Sequence, residues 1–454
     1  QIQIEIVYLL KKDRKATKMT DITHKLLERH PLGNPHRVWR QSNYILSTFS
    51  CRGDNMRRAV RTCRDAGFNL IELGWAEHEQ ALEAVSLCEE YRLDLLYQDF
   101  SEFGGMQKWH LDRITSADDP AAALKAHNQL LKALADKLRP YRHTIGYYVW
   151  DEPLLHEQLL EARRQADILQ AHTPEKLPFT VAIPSYNTDY TWQNGKFTDY
   201  LTDYVETIDP PVLSLDYYPY GLPGYNDDEQ LDNSLFWCDL GLMRVLCKKY
   251  SLPLWFYYQA VNLYKYAHFE FEMVRCQMYA AALYGAKGLQ SYTAVGSVIT
   301  ESGEPDVFFN ETKQIHSEFD ALGNTLMALD SHAVYHSPEL LSGSPYIDGL
   351  ADDISDSDIL TGPLDFRISV GELRDEYGNR YFMVLNRDFT VEKSTSIKLK
   401  RPMRRYDVSR IDGSQSLVGV IDSIDLTLAP GDAALIRLQQ TNDEPFTCEY
   451  RISC

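Results

Sequence analysis

From about residue 43 to residue 330 the chain alternates two spacings of apolar positions. Short runs rich in β-branched and aromatic residues read as buried strands. They are NYILSTF (43–49), NLIELGW (69–75), DLLYQDF (94–100), IGYYVWD (145–151), PFTVAIP (178–184), VLSLDYY (212–218), PLWFYYQ (253–259) and GLQSYTA (288–294). Between them lie longer segments with helical periodicity, at 55–67, 78–91, 119–138, 154–172, 234–250 and 269–287, with another at 310–329. Several close on Gly or a basic residue, as helix ends prefer. Eight strand–helix alternations predict an α/β fold, a (β/α)₈ TIM barrel in preference to an open sheet.

Past residue 330 the period changes from helical to two. DFRISVGELRDEYGNRYFMVLNRD (365–388) predicts a hairpin turning at Tyr377-Gly378-Asn379. SIKLKR, SLVGVI, SIDLTL and AALIRL follow as further strands, with the turn LAPGDA between the last two. The expected organisation is an N-terminal arm or added strand at 1–35, a barrel at 36–332 and a small antiparallel β-sandwich at 333–454.

Composition narrows the function. The 454 residues carry 46 basic and 65 acidic side chains, a net charge of −19, which repels phosphate backbones and argues against nucleic acid. No apolar run is long enough to span a bilayer. The cysteines show no metal-ligand spacing: Cys63, Cys88, Cys247 and Cys276 sit in helical patterns as small core residues, while Cys448 and Cys454 could pair or fray. No cofactor motif or metal cluster is evident, and the pattern is silent on oligomeric state. The chain begins at Gln1 without a signal-peptide pattern, so compartment is open on composition alone.

Barrel enzymes place their chemistry at the carboxyl ends of the strands. Read there, the sequence offers Trp75, Asp99, Glu102, Trp150, Asp151, Glu152, Asp216, Tyr217, Tyr218, Tyr258, Gln259 and Tyr292. Rings and carboxylates dominate: ring faces cover the apolar C–H surface of a sugar, and carboxylates accept its hydroxyls. A phosphate ligand would instead call for Lys, Arg or bare amides. The sharpest element is Gly146-Tyr147-Tyr148-Val149-Trp150-Asp151-Glu152-Pro153. Adjacent carboxylates at a strand end raise each other's pKa, the condition for a general acid near neutral pH.

IGYYVWDEP resembles the fourth strand of barrel glycoside hydrolases, in which a Glu followed by Pro is the acid/base. VLSLDYYPYG resembles their sixth strand, AALYGAKGLQSYTAVG their passage into the eighth, and LTLAPGDAALIRL the closing strands of an appended β-sandwich. The resemblance implies Glu152 as general acid and a carbohydrate over the barrel mouth. It also implies a periplasmic, cell-surface or secreted location. At one place it breaks: retaining members of the largest barrel clan carry a nucleophilic Glu at the end of strand seven, where this chain has Gln259. Three readings follow. The Asp151–Glu152 pair is similar to that of substrate-assisted hexosaminidases, where the acetamido group of the sugar attacks. Alternatively a carboxylate such as Asp216, Asp99, Glu102, Glu301 or Glu304 serves as base or nucleophile, with Asp216, Asp99 or Glu102 expected ~5–10 Å across from Glu152. Or the chain binds sugar without cleaving it. A barrel isomerase or aldolase is disfavoured, since no strand ends on lysine. Gln259 is expected to face the same pocket as Glu152.

Overall fold

The computed structural model describes residues 32–442, apart from 75, 100–107, 187–194, 222–229, 264–267 and 344–346. The first eight strands are β1 (Ile45–Thr48), β2 (Leu70–Glu72), β3 (Asp94–Tyr97), β4 (Thr144–Asp151), β5 (Leu177–Val181), β6 (Leu213–Asp216), β7 (Leu254–Gln259) and β8 (Gly288–Tyr292). All pair in parallel, in the order β5-β4-β3-β2-β1-β8-β7-β6. Ala182 N–H donates to Ser214 C=O at 2.8 Å just beyond β5, and Ala182 bridges Leu215 in parallel. That contact brings the two ends of the sheet together into a barrel.

Alternation along each strand decides what fills the barrel. Ile45, Phe49, Leu70, Leu96, Tyr148, Phe179, Val212, Trp255 and Tyr257 form one buried cluster inside it. The intervening side chains pack outward against the helices. Room inside is rationed by glycine. A Cβ at Gly288 would lie 2.7 Å from the Trp255 ring, and one at Gly146 would strike the Leu177 carbonyl. Trp39, in the segment before β1, meets Trp255 edge-on at 6.2 Å.

Helix Phe309–Met327 leads into seven antiparallel strands. These are β9 (Asp330–His336), β10 (Leu360–Thr361), β11 (Ile368–Arg374), β12 (Arg380–Asn386), β13 (Lys393–Val408), β14 (Gln415–Leu428) and β15 (Ala433–Gln440). They form one sheet, ordered β10-β13-β15-β12-β11-β9 with β14 on β13. The β13–β14 ladder breaks register between Lys398 and Met403, at Pro402, which has no N–H to give. On one side of the break β13 pairs β10, on the other β15. Ile397, Leu399 and Ile424 thereby join Val370, Phe382, Val384 and Ile436 in one core. The two layers expected of a sandwich are thus one bent sheet. SLVGVI and SIDLTL, which read as two strands, are the single β14, paired along its length with β13. A six-residue helix, Pro338–Gly343, also lies where only strands were expected.

The opposite face of this sheet, with Leu373, Met383, Leu385 and Leu435, belongs to the barrel's own apolar core. Helix Phe271–Leu283 packs there. Among the described residues, no helix is long and apolar enough to cross a membrane. The expected N-terminal arm falls almost wholly on residues 1–31, outside the described residues, as do Cys448 and Cys454.

Candidate active site

At the carboxyl ends of the strands lies a cavity of about 450 Å³. Phe49, Tyr148, Tyr186, Tyr218, Tyr257 and Tyr292 give it aromatic walls, and Val181, Ile183, Pro184 and Leu263 add apolar ones. Its carboxylates are Asp151, Glu152 and Asp216.

Local backbone explains how the acids reach it. A bulge between Tyr148 and Trp150 shifts the register of β4 against β5. Glu152 then adopts φ +52°, in the left-handed region. A side chain other than Gly or Asn there costs on the order of 1–3 kcal/mol. Its N–H is held by Val181 C=O at 3.2 Å, and Pro153 stops the strand. Asp151 and Glu152 are neighbours in sequence, yet this bend lets both line one cavity.

The three acids perturb one another. Burial pushes Glu152 up to about 7, with the Asp151 charge adding to the effect. Asp216, wholly buried, is held well above the ordinary carboxylate range by desolvation and then by Glu152 and Asp151. Burial raises Asp151 as well, while the Tyr148 hydroxyl, donating at 2.9 Å, offsets part of the rise. Glu152 and Asp216 line the same cavity, and the Glu152 charge is felt at Asp216. Asp216 Oδ1 is buried with no partner among the described residues. Of the carboxylates expected to stand opposite Glu152, Asp216 lines the cavity with it.

Of the twelve residues read from the sequence, Asp151, Glu152, Asp216, Tyr218 and Tyr292 line the cavity. Tyr292 and Tyr218 lie with ring centres 4.8 Å apart. Five others are elsewhere. Gln259 is fully buried: its Oε1 accepts from Tyr220 N–H at 2.9 Å, and its Nε2 donates to Tyr220 and Val261 carbonyls at 3.1 Å. That amide splices the ends of β6 and β7 together and does not face the cavity, contrary to expectation. Tyr258 and Trp150 point outward into the helical layer. Tyr217 Oη accepts from Leu235 N–H at 3.0 Å, again outside the barrel. Asp99 is buried between Tyr97 Oη at 3.0 Å and His78 Nδ1 at 2.6 Å. For Tyr258, Tyr217 and Asp99 the strand's two-residue alternation turns the side chain away; for Trp150 the bulge after Tyr148 does so. Trp75 and Glu102 lie outside the described residues.

The sequence reading missed Phe49, Tyr186 and Tyr257 on the cavity wall. It also missed Glu72 beneath them. Tyr257 was within reach of it, since it sits two residues before Gln259 on the inward face of β7. Nothing in NLIELGW marks Glu72 as more than a strand residue.

No protein-family model matches the chain, and no curated protein is similar to it in sequence. Among solved structures it is similar to the beta-galactosidase of Rahnella sp. R3, with a TM-score of 0.54 at 9% identity over 90% of this chain and 100% of that one. It is likewise similar to Gan42B, a GH42 beta-galactosidase, with a TM-score of 0.54 at 8% identity over 91% and 100%. A catalytic mutant of Gan42B from G. stearothermophilus gives 0.51 at 8% identity over 91% and 100%. At such identities the shared property is the fold, a parallel eight-stranded barrel followed by antiparallel sheet.

Proposed function

We propose that the chain is a glycoside hydrolase whose general acid is Glu152. The observation that carries this reading is a glutamic acid lifted to about 7 at the mouth of the barrel, between two further acids and a wall of rings. A carboxylic acid protonated near neutral pH can give its proton to a leaving glycosidic oxygen as the C–O bond breaks. Asp151, which accepts the Tyr148 hydroxyl, carries the negative charge beside the sugar carbon as it becomes positive in this reading. The rings of Tyr186, Tyr218 and Tyr292 offer faces to the sugar. The substrate is thus a carbohydrate, which favours a periplasmic, cell-surface or secreted setting.

The specific feature favouring a different reading is Gln259, an amide where a strand-seven nucleophile would stand. It supports either substrate assistance, with Asp151 against an acetamido group, or a barrel that binds sugar without cleaving it. The experiment is a panel of chromogenic glycosides with and without a 2-acetamido group, run alongside calorimetric binding of the free sugars. Turnover confined to acetamido sugars, and lost in Asp151→Asn, selects substrate assistance. Turnover of sugars without that group selects a carboxylate of the chain. Binding with no turnover anywhere overturns the hydrolase reading.

A further inference from the structure

Beneath the cavity, in the next layer of the barrel, lies an acid that the proposed chemistry does not use. Glu72 ends β2 and has no exposed surface. Its Oε1 accepts from Ser47 Oγ at 2.6 Å and from Gln290 Nε2 at 2.9 Å. Its Oε2 accepts from the hydroxyl of Tyr257. Ser214 Oγ in turn donates to Gln290 Oε1 at 2.8 Å, which fixes the Gln290 amide with its N–H toward Glu72. Strands β1, β2, β7 and β8 thus meet at one carboxylate, with β6 reaching it through Gln290, and every direct partner points a proton at it.

Such a group is expensive as mere packing. A buried carboxylate without a cation costs far more than a buried amide making the same contacts. The titratable groups that act on it are Tyr257 on β7 and Asp151 on β4, with Tyr148 of β4 sensing its charge. Ser47 and Gln290 are neutral. Burial, with a smaller contribution from Asp151, lifts Glu72 to about 7 against the pull of its three donors.

The consequence falls on Tyr257, which lines the cavity holding Asp151, Glu152 and Asp216. We propose that Glu72 is a positioning residue: by taking the Tyr257 hydroxyl proton from below, it leaves the phenol oxygen as an acceptor for a hydroxyl group of the bound sugar. The proposal rests on the carbohydrate reading above. It assigns Tyr257 a fixed polarity, accepting from substrate and donating to Glu72. When Glu72 is protonated, or is replaced by Gln, that polarity is no longer imposed.

Steady-state kinetics of wild type, Glu72→Gln, Tyr257→Phe and the double variant between pH 5 and 8.5 test it, with thermal melting as a control. The wild-type KM should fall as pH rises through about 7 and Glu72 ionises. Glu72→Gln should raise KM at pH 8 by about 3- to 10-fold, the worth of one hydrogen bond. Its kcat should stay within about threefold, and its KM should no longer follow pH. Tyr257→Phe should do the same, and the double variant should be no worse than Tyr257→Phe alone. A wild-type KM in Glu72→Gln with only a lower melting temperature would overturn the proposal, as would additive losses. If Glu72→Gln does not fold, Tyr257→Phe decides alone: an unchanged, still pH-dependent KM refutes it. A wild-type chain that turns over no glycoside removes the hydrolase reading without touching this one. Calorimetric sugar binding at pH 6 and 8 then replaces KM, with the same expected shifts. Absence of sugar binding at either pH overturns both.

Discussion

At the scale of single residues, the chemistry lies in where protons rest. Glu152 acts as an acid only while protonated, and it titrates at about 7. Its raised pKa means that the active form prevails below that value. The expected kcat therefore falls as pH rises through about 7, an alkaline limb that Glu152→Gln should abolish along with most activity. Loss of general acid assistance should lower turnover by ~10²-fold or more on a glycoside with a poor leaving group. Near-normal turnover on such a substrate would remove Glu152 from the role. Substrates with activated leaving groups need little protonation and are expected to suffer less. The WDEP segment made this residue legible, because two acids and a proline closing an apolar run have few structural uses. Glu72 was not legible: a lone Glu among apolar neighbours looks like a solvated strand end until the barrel closes around it.

At the scale of elements, strand seven holds the clearest divergence between reading and structure. Its sequence positions alternate as expected, with Trp255 and Tyr257 inward. Gln259 continues that face and still pairs with Tyr292 of β8, but its amide is drawn to the backbone of Tyr220 and Val261 just past the strand ends. Spacing alone carries no information about those backbone partners. The geometry predicts what Gln259→Glu would do. The new carboxylate loses both donors and faces two carbonyl oxygens, so a buried unpaired group results. The expected outcome is a loss of at least ~2 kcal/mol in stability, read by denaturant titration, with no gain in hydrolysis. A clear gain in turnover would instead identify position 259 as a vacated nucleophile site. Strand cores were read well because buried parallel strands are almost continuously apolar. The merged β14 was missed for a different reason: its exposed Leu417, Val418 and Val420 follow no clean alternation.

Across the whole molecule, barrel and sheet are joined by buried charge as well as by apolar contact. Arg387, fully buried in the loop after β12, reaches Asp232 at 2.6 Å and Glu339 at 2.7 Å and lies over the Trp237 ring. Replacing it with Met leaves two acids without their cation. That should cost about 3–5 kcal/mol in urea unfolding, whereas a loss under 1 kcal/mol would show the joint to be apolar. The buried acids of the barrel have a larger-scale effect, because Glu72, Asp151, Glu152 and Asp216 all hold protons more tightly folded than unfolded. Between the unfolded and folded pKa of such a group, the native state binds more protons, and stability declines as pH rises. His316 and His336 work the other way at lower pH, since burial depresses both. The wild-type profile therefore mixes opposing slopes, and only a difference between two chains isolates one acid. Glu72 titrates near 7 when folded, against an ordinary value of 4.5, and Gln does not titrate at all. Stability of Glu72→Gln relative to wild type should consequently improve from pH 5 to pH 8, by about 3 kcal/mol at most. At pH 5, where Glu72 is neutral in the native state, the variant should be no more stable than wild type. Urea unfolding of both chains at the two pH values measures the change, and a difference that stays constant with pH would mean that Glu72 is ionised throughout.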